Sequence, residues 1–480
     1  MKNWFDHLMF QTGARAEVPA IILEDRVVTF AMLKFGIERC ARRLVDLDIG
    51  RHGPIAVLVA NPIRHLTLCF ALFRLGIPSI SLEHGQSGIR SMTFAAVLGD
   101  GQAAAAVDPG NRLIETSDEW FADDLPASSI APAGFSDPTQ PCRISLTSGA
   151  TGLPKLVEHP IESYSDRILR HIDLNWRRVL CMPGLSSNWG FLTSCAALAT
   201  GRTVCFAGSP FQAMRMIELY AIDFIMASTE QLLVLAHAAR TTGAQPQSLR
   251  TIWFGGTVPT RTLLESAMIY LCNDILCRYA ASETGLIAQT TAREMLRKPG
   301  LVGRVVPGVE VRIFEPDGQS CPPGKVGLVK VKAASGPAHT NGDGTTQHWI
   351  DLGDLGWMDT EGCLYVVGRV TDAGTADTQL SPVHEIEHIL RLECDLIDAA
   401  AVLVDHGAAE RQTWIGIVGA TDLTPEKLAP ILAARGFHAP IKLFSLPVIP
   451  RGSNGKVNRP QLKAMMQDLV NRTWRGQTLV

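Results

Sequence analysis

The sequence predicts an α/β protein with a large N-terminal domain of mostly parallel βαβ sheets, a β-rich subdomain within it, and a small α+β C-terminal domain. Three observations predict this class. Apolar strand-like runs alternate with helix-period segments up to about Gly308, and such alternation is typical of βαβ units around a parallel sheet. After Gly308, short strands are joined by Gly, Pro and Asp turns. The chain of 480 residues also exceeds one hydrophobic core, so two or more domains are expected.

The alternation begins at "PIAVLVA" (54–60), which predicts a strand. The next segment, "HLTLCFALFRLG", has helical apolar spacing and ends at Gly76. The pattern returns three times, with a predicted strand before a helical stretch in each case. These strands are "TVCFA" (203–207), whose helix lies near Phe211 to Tyr220, "DFIMA" (223–227) and "RTIWFGG" (250–256).

The β-rich part and the C-terminal domain follow. Three strands are predicted after Gly308, in "VEVRIFEPDGQ" (309–319), "GKVGLVKVK" (324–332) and "GCLYVVGR" (362–369). A polar, turn-rich segment, 370–382, comes next. Beyond it we predict a helix in "EIEHILRLE" (385–393) and strands in "DAAAVLV" (398–404) and "TWIGIVGA" (413–420). The predicted bounds are a large domain over 1–368, a hinge at 369–371 and a small domain over 372–480.

Composition and charge exclude several function classes. The chain is 46% hydrophobic and 19% charged with a net charge of −3, so no global basic field attracts nucleic acid or an anionic membrane. The eleven cysteines contain no C-x-x-C pair, which favours buried thiols in a reducing compartment. The N-terminal segment lacks a signal-peptide pattern, and no run approaches about 18 apolar residues. We expect a cytoplasmic protein without a membrane span or a nucleic-acid partner.

The stretch "SLTSGATGLPK" (145–155) suggests an anion site. It follows the predicted strand "RISL", and strand ends are where α/β sheets bind ligands. Small residues let backbone N–H groups approach an anion, the hydroxyls of Thr147, Ser148 and Thr151 add donors, and Lys155 adds a positive charge. The P-loop spacing G-x-x-x-x-G-K-[ST] is absent. By itself the stretch fits a phosphate-binding loop or a flexible surface loop.

Four further segments decide between these readings. They are "IWFGGTVPT" (252–260), "RYAASETG" (278–285), "DLGDLGWMDTEGCLYVVGR" (351–369) and "PRGSNGKVNR" (450–459). With "LTSGATGLPK", and in this order, they resemble the motifs of the adenylate-forming superfamily: acyl- and aryl-CoA ligases, luciferases and peptide-synthetase adenylation domains. The resemblance extends from about Val28 to Leu462 and is strongest to an acyl- or aryl-CoA synthetase.

The resemblance implies an ATP-dependent enzyme with Mg²⁺ as cofactor and CoA as thiol co-substrate. A carboxylic acid would be activated to acyl-AMP with release of pyrophosphate, and the acyl group would pass to the thiol of CoA. It also implies that the large domain is the adenylation domain and that the small one is mobile. A stand-alone acyl-AMP ligase that loads a carrier-protein pantetheine and a non-catalytic family member remain alternatives. No feature points to a luciferase-like oxygenase.

The resemblance assigns nucleotide-binding roles to matched residues. The β- and γ-phosphates would be held by Thr147, Ser148, Gly149, Thr151, Gly152 and Lys155. Gly255 and Gly256 would form a turn beside the adenine and the acyl group, with Tyr279 stacked near the adenine. Asp354 would accept both ribose hydroxyls, because a carboxylate offers only acceptors, and Arg369 would donate to the ribose side. An ordinary turn aspartate and a strand-end arginine are the structural alternatives for these last two.

The implied catalytic residues are Lys456, Ser282, Glu283 and Lys155. Glu283 would carry Mg²⁺, which prefers oxygen ligands and substrate phosphates; by position alone it could be a carboxylate at a helix N-terminus. Ser282 would reach the α-phosphate or the substrate carboxylate. Lys456 would enter the site to stabilise negative charge on the α-phosphate and the attacking carboxylate.

The acyl pocket is predicted to be apolar and to fit an aromatic or a short-to-medium acyl acid. Its expected lining is Asn188, Trp189, Phe191, Ala280, Ala281 and Ile287. CoA-active relatives often have a histidine in a Pro-x-x-His segment, which "MPGLSSNWGF" (182–191) lacks. Residues 186–198 contain no acid to pair with a substrate ammonium, so an α-amino acid is disfavoured.

The segment after Arg369 departs from the family pattern. Two glycines usually line the thiol tunnel there, and counting without gaps places Asp377 and Thr378 at those positions. The usual hinge aspartate position falls on Thr371. The sequence therefore predicts a thioester step that is slower than adenylation.

Overall fold

The computed structural model describes most of the chain. The described residues are 3–47, 49, 53–84, 92–121, 134–148, 154–170, 175–333, 339–340, 346–347, 349–369, 383, 386–387, 389–390, 394, 396–405, 411–419, 422–434, 440–451 and 457–474. Within these ranges the α-helices are α1 (Trp4–Ala14), α2 (Phe30–Asp46), α3 (Pro62–Arg74), α4 (Ile161–Leu169), α5 (Asn188–Ala199), α6 (Pro210–Leu219), α7 (Thr229–Thr242), α8 (Arg261–Tyr270), α9 (Ala292–Arg297), α10 (Pro425–Ala433) and α11 (Arg459–Trp474).

The strands form three sheets and one short ribbon. In chain order they are β1 (Pro19–Leu23), β2 (Arg26–Thr29), β3 (Ile55–Leu58), β4 (Ser79–Ser81), β5 (Ala96–Gly99), β6 (Leu113–Glu115), β7 (Pro141–Ser148), β8 (Pro154–Pro160), β9 (Arg178–Cys181), β10 (Thr203–Phe206), β11 (Phe224–Ser228), β12 (Thr251–Gly255), β13 (Asp274–Ala281), β14 (Gly285–Thr291), β15 (Leu301–Val305), β16 (Val309–Phe314), β17 (Gly327–Ala333), β18 (His339–Thr340), β19 (Thr346–Gln347), β20 (Ile350–Met358), β21 (Cys363–Arg369), β22 (Asp398–Asp405), β23 (Arg411–Val418) and β24 (Ile441–Ser445).

The largest sheet has thirteen strands in the order β16-β17-β20-β21-β15-β14-β13-β12-β11-β9-β10-β1-β2. Neighbours from β13 to β1 are parallel, through β12, β11, β9 and β10. From β13 to β16 every neighbouring pair is antiparallel. The parallel part and the β-rich part were both predicted, and they share one continuous sheet.

A second sheet has the order β6-β5-β3-β4-β7-β8 and is parallel except for the last pair. One hydrophobic cluster joins the two large sheets, since it contains Val57 of β3, Phe224 of β11 and apolar residues of α1 to α5. Along β11 the neighbouring Ile225 belongs instead to a cluster with α6, α7 and α8. Alternate side chains of a strand face opposite sides, so the thirteen-stranded sheet carries helices on both faces.

The C-terminal part has its own α+β arrangement. Strands β22, β23 and β24 form a three-stranded sheet. One face packs against α10 and the described helical residues near 386–390, and the other packs against α11. The predicted strands here are confirmed, and Ile386, Glu387, Ile389 and Leu390 are helical as predicted for "EIEHILRLE". Residues 370–382 lie outside the described part, so the domain and hinge bounds stay a prediction.

Candidate active site

The predicted phosphate loop connects two antiparallel strands. β7 ends at Ser148 and β8 begins at Pro154, with Thr147 opposite Lys155 in the register. The predicted strand before the loop is therefore confirmed. The β8 backbone places Lys155 next to the end of β7. Gly149, Thr151 and Gly152 lie outside the described residues. So do the side chains of Thr147, Ser148 and Lys155.

A buried pair of polar side chains connects the two strands that flank the loop. Ser145 Oγ of β7 and His159 Nε2 of β8 are 2.7 Å apart, and both side chains are buried. Burial, helped by the positive charges of Arg167 and Arg143, lowers the pKa of His159 to about 3. A neutral imidazole can accept a hydrogen bond from the Ser145 hydroxyl, so this contact joins the two strands without a buried charge on the histidine.

Arg167 links the phosphate-loop hairpin to the "ASETG" turn. It lies on α4, which directly follows β8, and its guanidinium is buried. Its Nη1 donates to the carbonyl oxygen of Ser282 at 3.1 Å, and its Nη2 donates to that of Glu283 at 2.8 Å. Sequence reasoning missed this residue, because a lone arginine on an amphipathic helix carries no motif signal.

The turn that Arg167 holds contains the predicted metal ligand. Ser282 and Glu283 are half-buried and lie between β13 and β14. The alternative role for Glu283, a helix N-terminal carboxylate, is therefore wrong, because two strands flank it. A half-buried carboxylate on a fixed turn fits an oxygen ligand for Mg²⁺, so the residues present suit that ion.

The predicted ribose site is assembled from two distant motifs. Tyr279 Oη of β13 donates to Asp354 Oδ2 of β20 at 2.5 Å, although the two residues are 75 positions apart. Asp354 is only 7% exposed, and it lies opposite Arg369 in the β20–β21 register. The side chain of Arg369 lies outside the described part. The structure therefore places the Asp354 carboxylate, which Tyr279 orients, directly opposite the backbone position of Arg369.

Asp354 is a strand residue, so its alternative as a turn aspartate is wrong. The turn-forming aspartate of "DLGDLG" is Asp351, whose Oδ1 accepts the backbone N–H of Gly353 at 2.8 Å. Gly353 has a φ of +70°, a value that favours glycine. The resulting bend lies one residue before Asp354.

The predicted Gly-Gly turn is close-packed. β12 ends at Gly255, where an added Cβ would lie 2.5 Å from the carbonyl oxygen of Arg278 and 3.6 Å from the Trp189 ring. Gly256 has a φ of +110°. Glycine at 255 therefore allows three elements, β12, β13 and α5, to meet at this strand end.

The predicted acyl-pocket residues fall into two groups. Asn188 and Trp189 are half-buried at the start of α5, which Ser187 caps, and Tyr164 Oη donates to Asn188 Oδ1 at 3.0 Å. Ala280 is exposed and Ala281 half-buried on β13. Phe191 and Ile287 are buried in two different core clusters, so the structure does not bring these two together. The pocket assignment stays a prediction.

One acidic side chain near this pocket escaped sequence reasoning. Ser186 Oγ donates to Glu83 Oε2 at 2.9 Å, although 103 positions separate them. The segment 186–198 lacks an acid of its own, as noted, but a carboxylate from the end of β4 reaches its first residue. The Glu83 carboxylate thus accepts a hydrogen bond from the Ser186 hydroxyl.

The C-terminal lysine loop is anchored at both ends. Arg451 Nη2 lies 2.8 and 2.9 Å from the two carboxylate oxygens of Asp398, and Arg451 forms a β-bridge with Val457. Arg459 Nη1 donates to Glu387 Oε1 at 2.7 Å and to the Ala401 carbonyl oxygen at 2.8 Å. Lys456 itself lies outside the described residues.

The sequence model of a family described as AMP-binding enzyme matches residues 10–336. This chain belongs to the AMP-binding enzyme family. The predicted resemblance to adenylate-forming enzymes is thereby confirmed, and so is the predicted enzyme class, an AMP-forming acid–thiol ligase.

Similar proteins cover most of this AMP-binding enzyme. A 2-succinylbenzoate–CoA ligase of Bacillus subtilis (strain 168) is 25% identical over an alignment of 496 positions, which covers 96% of this chain and 97% of that protein. The O-succinylbenzoate coenzyme A synthetase of Bacillus subtilis in complex with ATP and magnesium ion has a TM-score of 0.78 at 23% identity, covering 96% of this chain and 99% of that one.

A second solved structure agrees in fold. The anthranilate CoA ligase AuaEII in complex with anthranoyl-AMP has a TM-score of 0.79 at 16% identity, covering 96% of this chain and 97% of that one. These similarities confirm the predicted fold class. In the described part of the AMP-binding enzyme, no helix is both long enough and apolar enough to cross a membrane.

Proposed function

We propose that this AMP-binding enzyme uses ATP to convert an aromatic carboxylic acid to acyl-AMP, with release of pyrophosphate, and then to its CoA thioester. The observation that carries the proposal is the Tyr279–Asp354 contact beside the Arg369 position, which holds a carboxylate acceptor where a ribose would bind. A similar protein is a 2-succinylbenzoate–CoA ligase, which favours an aromatic acid and CoA as the acceptor.

The residues divide the work between binding and charge stabilisation. Asp354 accepts the ribose hydroxyls, and Tyr279 both orients Asp354 and lies beside the adenine. The loop residues Thr147, Ser148, Gly149, Thr151, Gly152 and Lys155 hold the β- and γ-phosphates. Glu283 would hold Mg²⁺, which would supply positive charge to neutralise the phosphate oxygens.

In the first step the substrate carboxylate oxygen attacks the α-phosphorus and the bond to pyrophosphate breaks. Ser282 donates to the α-phosphate or positions the carboxylate, and Lys456 stabilises the added negative charge. In the second step the thiol sulfur bonds to the acyl carbon and AMP leaves. Arg167 acts indirectly, because it fixes the backbone of Ser282 and Glu283.

The test is a pyrophosphate-release screen with ATP, Mg²⁺ and a panel of aromatic, aliphatic and α-amino acids. We expect an aromatic acid to be best and free amino acids to be rejected. An amino acid as the best substrate would assign the Glu83 carboxylate to a substrate ammonium and overturn the acid class. No activity with any acid, from a folded and ATP-binding protein, would favour the non-catalytic alternative.

The acceptor is tested separately, by giving the enzyme-bound acyl-AMP either free CoA or a pantetheinylated carrier protein. We expect the CoA thioester. Transfer only to the carrier would replace this proposal with a stand-alone acyl-AMP ligase.

We also propose a cytoplasmic location, because all eleven cysteines are free thiols and eight of them are buried, as suits a reducing compartment.

A further inference from the structure

Arg278, the first residue of the "RYAASETG" motif, is a half-buried cation with no anionic partner among the described residues. Its Cζ lies 3.8 Å from the centroid of the Trp253 ring, and its Nε is buried without a hydrogen-bond acceptor. Burial lowers the pKa of Arg278 to about 10. Within the described ranges, no carboxylate lies within 4 Å of its guanidinium.

Several other buried arginines among the described residues share the unpaired Nε, but their terminal nitrogens have acceptors. Arg451 pairs with Asp398, and Arg74 Nη2 lies 3.1 Å from Glu38 Oε1. Arg167 donates to two carbonyl oxygens. Removing a cation from water without such partners costs several kcal/mol, and stacking on one indole returns about 2 kcal/mol. Arg278 therefore stands out as a site that an incoming anion would complete.

The position of Arg278 relates it to the substrate. Neighbouring side chains of a strand project to opposite faces, so Arg278 and Tyr279 lie on opposite sides of β13. Tyr279 contacts Asp354 and marks the nucleoside side. Arg278 stacks on Trp253, which belongs to the cluster against which Trp189 of α5 packs. The carbonyl of Arg278 and the ring of Trp189 also converge on Gly255.

We propose that Arg278 selects acids that carry a second carboxylate, which its guanidinium binds while the first carboxylate reacts with ATP. The pocket is then apolar in its walls, through Trp189 and Trp253, and cationic at this one point. A planar guanidinium presents two parallel N–H donors that match a carboxylate. This inference rests on the proposed function, since it names the substrate class of the same site.

The test compares matched acids on the wild-type enzyme. 2-Succinylbenzoate has a ring and a chain carboxylate; 4-oxo-4-phenylbutanoate lacks the first, and 2-butanoylbenzoate lacks the second. Isophthalate against benzoate gives a second pair. With pyrophosphate release as the readout, we expect the better diacid to exceed its monoacid counterparts by about 10- to 100-fold in kcat/KM, because the monoacids leave a buried donor unpaired.

Variants separate recognition from a structural role. In Arg278→Met the ratio of diacid to monoacid kcat/KM should fall about 10- to 100-fold, mainly through KM, and Arg278→Lys should restore part of it. Arg293→Met, which removes an exposed arginine on α9, is the matched control and should keep the ratio. If Arg278→Met does not fold, the ratio of diacid to monoacid kcat/KM in the wild type and in Arg278→Lys still tests whether Arg278 binds a second carboxylate.

The outcomes distinguish this inference from the proposed function. A monoacid as the best substrate, or an equal loss for both classes in Arg278→Met, would overturn the role of Arg278 while leaving the acid–CoA ligase intact. Failure of the wild type to activate any acid, with ATP binding retained in calorimetry, would overturn both.

Discussion

Asp354 shows how a single side chain is prepared for its role. It is nearly buried, and the phenol of Tyr279 donates to one of its oxygens. A buried carboxylate is stable only when hydrogen-bond donors satisfy it, and ribose hydroxyls are such donors. Tyr279 fixes the orientation of Asp354, and we propose that it also lies beside the base.

We expect Asp354→Ala to weaken ATP binding, because the ribose loses its acceptor, and Tyr279→Phe to weaken it less. The measurement is the ATP dissociation constant by calorimetry. Losing a hydrogen bond to a charged group predicts about a 10- to 100-fold increase for Asp354→Ala. A folded Asp354→Ala protein with wild-type affinity would remove Asp354 from the nucleotide site.

Lys456→Ala should slow adenylation by about 10²–10³-fold, as expected on losing one donor that stabilises transition-state charge. Thioester formation from preformed acyl-AMP should continue. Single-turnover assays that follow acyl-AMP and acyl-CoA separately give both rates. The neighbouring Lys463→Ala, on α11, is the control and should leave both unchanged. Equal slowing of the two steps by Lys456→Ala would contradict a role confined to adenylation.

At the scale of elements, the site is a meeting point of strand ends and one helix. At Gly255, where β12 ends, an added Cβ would lie 2.5 Å from the Arg278 carbonyl oxygen of β13 and 3.6 Å from the Trp189 ring of α5. Arg167 joins α4 to the β13–β14 turn. Side-chain contacts to backbone therefore hold these elements together at the site.

Gly255→Ala should destabilise the fold and reduce adenylation, because its methyl group meets a backbone carbonyl that cannot rotate away. Overpacking of this kind costs about 1–3 kcal/mol. Urea unfolding measures the change. Gly13→Ala is the control, since no atom lies within 4 Å of its added Cβ on α1, and it should be neutral or stabilising. Equal stability of the two variants would mean that β12 and β13 separate easily.

At the scale of the whole molecule, the part of the chain that the structure describes buries two neutral histidines, which contribute to the pH dependence of its stability. Burial lowers the pKa of His65 to about 4 and that of His159 to about 3, below the value near 6.5 expected in the unfolded chain. The unfolded chain therefore takes up protons below pH 6.5 while the folded chain does not. The stability that the neutral histidines contribute is complete above about pH 6.5 and is lost as the pH falls toward 4 and 3.

We expect the melting temperature to fall between pH 7 and pH 5, with a loss of up to about 1.4 kcal/mol per pH unit for each histidine. His159→Gln should make this fall shallower. His237→Gln, at an exposed histidine, is the control and should leave the slope unchanged. A wild-type slope in His159→Gln would show that His159 is protonated in the folded protein.

The thioester step also belongs to this scale, because it depends on the segment between the two predicted domains. Asp377→Gly should speed acyl transfer to CoA and leave adenylation unchanged, since the side chain would narrow the thiol tunnel and oppose the CoA phosphates. Rapid-quench single turnover follows both species. If acyl-AMP never accumulates in the wild type and Asp377→Gly has the same rates, the differences between this segment and the family pattern do not slow the thioester step.

The sequence by itself determined the elements and the family. Strands such as β3, β11 and β12, and the end of α3 shortly before Gly76, follow from apolar periodicity and turn residues that act over a few neighbouring positions. The five motifs are equally local, so the phosphate loop, the Gly255 turn and the lysine loop could be found without a structure.

Only the tertiary structure decided which side chains meet. The Tyr279–Asp354 contact, the Arg167 bonds to the "ASETG" turn and the approach of Glu83 to Ser186 join residues 75 to 116 positions apart. These contacts depend on strand order and register, which no local pattern encodes. The same holds for Arg278, because only the tertiary structure shows that no carboxylate of the described residues lies within 4 Å of its guanidinium.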